Sequence, residues 1–200
     1  DELKARIIDF VRTASIEVTP GDKVQPASLT GHLAAGSTLY VAHTPHVAVA
    51  DVVDTAVLIR SAGFAASPHI VARRIGSRAE LESALGRLKD AGISRILLVA
   101  GDLPHPMGPY SSALDILDSG TLAAAGIDTI GIAGHPGGHN RIDAAILWDA
   151  LRRKQDYATR TGARVHIVSR VKPRASRRRR TSGVATISAL AGAWNQRIQR

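Results

Sequence analysis

An α/β fold built on a parallel sheet follows from three features of this 200-residue sequence. Short β-branched runs alternate with longer amphipathic stretches, and those stretches begin after Pro, Ser or Asp and end near Gly. Each crossover is also long enough to bring the chain back beside a parallel neighbour, which takes about a dozen residues or more. The strand candidates are Ala14–Val18, Thr38–His43, Ser67–Ala72, Arg95–Ala100, Thr129–Ala133 and Arg164–Ser169. The helix candidates between them are Pro26–Ala35, Val47–Ala62, Arg78–Ala91, Ser111–Ala125 and Ile142–Thr161. Arg78–Ala91 carries Leu81, Ala84, Leu85 and Leu88 on one face and Arg78, Glu82, Arg87 and Lys89 elsewhere, the pattern of a helix laid on a sheet. Its exit, Ala91-Gly92-Ile93, is matched by Ala62-Gly63-Phe64 and Ala125-Gly126-Ile127 at the ends of the second and fourth helices.

An open doubly wound sheet favours a Gly-rich phosphate turn after its first strand, and Glu17-Val18-Thr19-Pro20-Gly21 is not one. Polar residues stand instead at the C-terminal ends of nearly all strands: Glu17, His43, Arg73, Asp102, His135 and Ser169. A (β/α)8 barrel places its site there. The expected fold is therefore a TIM-barrel-like (β/α)8 architecture, incomplete at about six β/α units over residues 1–169, followed by a basic tail over 170–200.

Composition bounds the alternatives. Hydrophobic residues make up 44% and charged residues 22%, enough for one soluble domain with a substantial core. The longest apolar runs, such as Ile96–Gly101, fall far short of the ~20 residues of a membrane-spanning helix, so no membrane association is expected. The chain has no cysteine, which excludes disulfides, thiolate metal sites and a Cys nucleophile. No secretory pattern precedes the first helix candidates, and a cytoplasmic location is the expectation.

The net charge of +9 is unevenly placed. Nine Lys/Arg and no Asp or Glu fall in residues 170–200, with four consecutive arginines at Arg177–Arg180, so residues 1–169 are balanced. The tail has one aromatic, Trp194, and no zinc ligands or heptads, so nucleic acid is not the expected partner. The abrupt change is read as an altered reading frame or gene model near Ser169–Arg170. In the competing reading it is a native extension for a partner, with Thr181–Gln199 docking as a helix on the open barrel edge.

Individual residues carry the chemistry. Glu17 ends an apolar strand, where partial desolvation suits a carboxylate to general-acid work; a surface carboxylate is the plain alternative. Asp102 follows a buried strand that ends in Gly101, a residue that allows close approach of a ligand to the backbone. His135 and His139 lie in Gly134-His135-Pro136-Gly137-Gly138-His139. Their spacing raises a metal, but the Pro and Gly residues deny them a shared helix face, and no metal is expected. His43, His46 and His69 read as loop or core histidines, and Lys154 as a solvated helix residue.

Four segments in order, Ser15-Ile16-Glu17-Val18-Thr19-Pro20, Pro68-His69-Ile70-Val71-Ala72-Arg73, Leu97-Leu98-Val99-Ala100-Gly101-Asp102 and Gly131-Ile132-Ala133-Gly134-His135-Pro136-Gly137-Gly138-His139, resemble the methylenetetrahydrofolate reductase family over roughly residues 10–169. The resemblance implies a barrel that holds FAD, draws hydride from NAD(P)H and reduces 5,10-methylenetetrahydrofolate to 5-methyltetrahydrofolate. It implies Glu17 and Asp102 as catalytic residues and His69, Gly101, Asp102, His135, His139 and Lys154 as cofactor-binding, with folate as substrate and a homo-oligomer as an open state of assembly. The chain departs from the family where Val18-Thr19 replace an aromatic pair, His135 a common tyrosine and Arg170 a glutamine. Weak or absent reductase activity is the corresponding expectation. The competing functions are a non-enzymatic binding protein that uses the basic tail on nucleic acid or an acidic partner, and a divergent pterin-binding barrel enzyme.

Overall fold

The computed structural model describes residues 2–22, 26–135, 138–170 and 186–188. Six strands, β1 (Ile16–Val18), β2 (Thr38–Val41), β3 (Ala65–Val71), β4 (Arg95–Val99), β5 (Thr129–Ala133) and β6 (Arg164–Arg170), form an all-parallel sheet in sequential order. Helices α2 (Val49–Ser61), α3 (Arg78–Asp90), α4 (Ala113–Asp118), α5 (Thr121–Ala124) and α6 (Ala144–Thr161) fall between successive strands, and α1 (Glu2–Thr13) precedes them all. The strand order never reverses, so the sheet has no topological switch point of the kind a doubly wound fold uses. The order is compatible with that of an incomplete barrel.

Strand alternation sorts the side chains into two layers. Leu39, Val41, Ile70, Ile96, Leu98, Ile130 and Ile132 belong to one large apolar core together with Val52, Val53, Leu81, Leu85, Leu88, Ile116 and Leu122 from the helices. Each fully buried Leu or Ile contributes roughly 1.5–3 kcal/mol over its exposed state. The opposite parity gives a second, small cluster of Tyr40, Leu97 and Val168, with Val99 against it. The helices therefore cover one face, and the other face turns toward itself.

Local signals explain the elements. Ser77 caps α3 by accepting from the Glu80 N–H at 3.1 Å, which satisfies an orphan donor of the helix, and the Glu80 carboxylate ties down the residue before the cap by accepting from the Gly76 N–H at 2.6 Å. Leu81, Ala84, Leu85 and Leu88 form its buried face, as the periodicity predicts.

Two expectations are corrected. The predicted helix Pro26–Ala35 is only a short 3-10 turn, Pro26–Leu29, followed by loop. Gly31 lies in that stretch, and glycine weakens a helix interior; Gly36, just beyond it, turns the chain at φ +77° before β2. The predicted helix Ser111–Ala125 is split into α4 and α5, because Ser119 ends the first and Gly120, at φ +74°, turns the chain before the second. In the tail, Thr186–Ser188 form a strand, β7, antiparallel to β6 over Val168–Arg170, within the segment that the competing reading docks as a helix. Backbone pairing along an otherwise open edge is the physical reason. The remainder of Thr181–Gln199 and the Arg177–Arg180 run lie outside the described residues. Among the described residues no helix is long and apolar enough to cross a membrane.

Candidate functional site

On the face away from the helices, the strand pairing brings polar residues into adjacent rows. Glu17 on β1 is in register with Tyr40 on β2, and Tyr40 with Ser67 on β3. One row on, His69 is in register with Leu97, Gly131 and His166 on β4, β5 and β6. The His69 Nε2 lies 3.7 Å from the Glu17 Oε2, with side chains 13% and 25% exposed respectively. The Tyr40 ring meets the His69 ring edge-on, with centroids 6.0 Å apart. Its hydroxyl lies 3.4 Å from the His166 Nε2. Burial, then the charges of Arg95 and Arg164, holds the His166 imidazole below its ordinary range. Glu17, His69, Tyr40 and His166 thus form a continuous polar line across the inner face.

Asp102 stands apart from that line. Its side chain is largely exposed and its Oδ1 lies 3.5 Å from the Arg74 Nη2. The preceding Gly101 has φ +92°, and a Cβ there would fall 2.4 Å from the Val71 Cγ1. The Val71 side chain thus stands where a Cβ would go, and together with the positive φ it favours glycine at this turn.

The loop after β5 brings His135 and His139 together, with ring centroids 5.1 Å apart and the planes steeply inclined. The His139 Nδ1 accepts from the Arg141 N–H at 3.2 Å. His135 is held below the ordinary imidazole range by burial first, then by the neighbouring His139 and by the Lys154 charge. Lys154, expected to be solvated, is half-buried on α6, and its burial pushes the ammonium down. The β5 loop and α6 therefore converge on one donor-rich patch.

Two members of the inner line, Tyr40 and His166, were missed from the sequence. Parity offered a signal, since Tyr40 alternates with the core-facing Leu39 and Val41, and His166 with Val165 and Ile167. Their meeting depends on curvature, which periodicity does not encode. Arg74 was missed as well; only its polar neighbour Arg73 stood out at a strand end.

These features define an α/β protein with a sequentially ordered parallel sheet whose polar groups gather on the helix-free face and at the strand ends. No known protein-family model matches the chain.

Proposed function

We propose that this chain is a barrel-type oxidoreductase of one-carbon folates, using FAD and NAD(P)H, with Glu17 as its acid. The observation that carries the proposal is the Glu17–His69 pair at 3.7 Å on the inner face of β1 and β3, at the strand positions the family resemblance implies. A carboxyl group that faces a ligand on the helix-free side of the sheet is placed to deliver a proton to a basic nitrogen bound there. Glu17 would protonate the departing folate nitrogen as the five-membered ring opens. The His69 imidazole would keep that carboxyl oriented.

The donor set at the β5 loop fits the diphosphate of a dinucleotide. His135, His139 and Lys154 supply ring N–H and ammonium groups at one strand end, and Gly138 has open space where a Cβ would stand. Bound flavin would supply hydride transfer. Asp102, exposed at the end of β4, would accept hydrogen bonds from the folate ring.

The absorbance spectrum of the purified protein, with and without added FAD, tests the reading. A saturable flavin spectrum is expected, and Glu17→Gln should abolish folate reduction while sparing flavin reduction by nicotinamide. Failure to bind FAD at any concentration, or equal loss of both half-reactions in Glu17→Gln, would overturn it.

A further inference from the structure

Arg73 and Arg74 are adjacent in sequence and differently engaged. The Arg73 guanidinium donates to the Leu103 carbonyl at 2.7 Å and to the Ser111 carbonyl at 2.8 Å. The Arg74 side chain is 10% exposed, yet its acceptors among the described residues are the Thr44 carbonyl at 3.1 Å and the exposed Asp102 carboxylate at 3.5 Å. A guanidinium has five N–H donors, so three of these have no protein acceptor there. The Asp102 contact is at the outer limit of a hydrogen bond. The guanidinium is half-buried, and an anion that accepts from its unused donors gains charge-assisted hydrogen bonds.

His43, at the end of β2, supplies the complementary group. It is 8% exposed, and its Nε2 lies 3.0 Å from the Val47 carbonyl. A carbonyl only accepts, so Nε2 carries the proton and Nδ1 presents a bare lone pair. That Nδ1 is buried and has no hydrogen-bond partner among the described residues. The Arg74 charge is near enough to act on the His43 ring. Three residues on, His46 is the one non-glycine residue with positive φ among those described, at +68°. Strained backbone of this kind collects at binding sites. All of these residues lie beyond the C-terminal ends of β2 and β3, the end at which parallel sheets bind ligands.

We propose that Arg74 and His43 form a subsite for an oxyanion that carries a hydroxyl beside its charged oxygens, either hydrogen phosphate or a 2-hydroxycarboxylate. Two charged oxygens take the unused Arg74 donors in the planar, bidentate manner that guanidinium favours. The ligand hydroxyl donates to the His43 Nδ1. Asp102 competes for the same guanidinium and swings clear when the ligand enters, which its exposure permits. The subsite uses neither Glu17 nor His69 and shares only Asp102 with the folate reading.

The test follows the His43 ring resonances by NMR during titration of the full chain with two matched pairs of anions. Slightly above neutral pH, hydrogen phosphate and sulfate carry similar charge but only the former has an O–H; 2-hydroxypropionate and propionate differ in the same way. The hydroxylated member of at least one pair should bind saturably and about tenfold more tightly, the worth of one hydrogen bond involving a charged group. The pair that discriminates identifies the ligand as phosphate or carboxylate. His43→Phe should abolish the discrimination, Arg74→Met should abolish binding, and Asp102→Asn should tighten it. Arg74→Lys, which keeps the charge without the fork, should bind weakly and guards against misfolding of the Met variant. Equal binding within both pairs, no saturable binding, or unchanged affinity in Arg74→Lys would overturn the proposal.

Discussion

The Tyr40 hydroxyl on β2 and the His166 Nε2 on β6 lie 3.4 Å apart, although β3, β4 and β5 stand between their strands in the sheet. A flat parallel sheet spaces neighbouring strands by about 4.8 Å, which would separate these two strands by roughly 19 Å. The contact therefore requires the sheet to curl until its inner face closes on itself. Gly131 on β5 makes room: a Cβ there would stand 3.3 Å from the His166 Nε2 and 3.0 Å from the Leu97 Cδ1. The pair should behave as a latch on that curvature. A double-mutant cycle with Tyr40→Phe and His166→Leu is expected to give a coupling of about 1 kcal/mol in urea denaturation. Strictly additive losses would show that the curvature is held elsewhere.

Acid sensitivity follows from the histidines. His43 and His166 are both held below the ordinary imidazole range, burial being the first cause for each. Below that range the unfolded chain binds protons that the folded chain refuses. Stability is therefore fully present above the ordinary value of about 6.5 and is lost as pH falls from there through the lowered folded values. Chemical denaturation at a series of pH values should show this loss on acidification, with a shallower slope in His166→Leu. A slope of opposite sign would mean that another group dominates.

Much of the framework was readable from periodicity, and the reasons for the exceptions are physical. The apolar stripe of α3 and the glycine exits after α2 and α3 depend on local geometry alone, so spacing located them. The break between α4 and α5 hung on Gly120, whose positive φ cannot be read from an Ala- and Leu-rich pattern. Glu17 was legible as a strand-end group and His69 only as a histidine within a strand, of either orientation, while their proximity required the parallel register of β1, β2 and β3. Arg74 gave no signal because its place comes from packing against the loop after β2, where its guanidinium donates to the Thr44 carbonyl thirty residues away. The contact that a Cβ at Gly101 would make with the Val71 side chain is visible only once β3 and β4 are paired.

Two glycines should respond differently to the same substitution. A Cβ at Gly108 would fall 2.3 Å from the Gly76 carbonyl oxygen and 2.5 Å from that of Ile75. These are backbone atoms and cannot rotate away. Gly63 has φ +88° with open space around the same atom. Gly63→Ala is expected to cost about 1–2 kcal/mol, the left-handed penalty alone. Gly108→Ala must move the loop or the chain beneath it, at about 3 kcal/mol. Thermal unfolding of both variants would check the order, and a larger loss for Gly63→Ala would contradict it.

Arg73 brackets the β4–α4 loop at several points. Its side chain donates to the Leu103 and Ser111 carbonyls, its N–H donates to the Ala100 carbonyl at 3.0 Å, and its carbonyl accepts from the Met107 N–H at 2.9 Å. The first two bonds close the loop's ends with a single planar group, and each is a charged-donor bond worth about 1.5–3 kcal/mol. Arg73→Ala removes both while leaving the backbone pair available, so the loop should open locally without the sheet unfolding. Hydrogen exchange at the Met107 amide is the direct readout, because that N–H is bonded to Arg73 itself. It is expected to quicken by about tenfold or more in Arg73→Ala, while amides in the middle of β4 keep their protection. Arg73→Lys should fall between the two, since an ammonium reaches one carbonyl but lacks the fork that spans both. Unchanged exchange at Met107 in Arg73→Ala would mean that the packing of Gly108 on Gly76, rather than the guanidinium, holds the loop down.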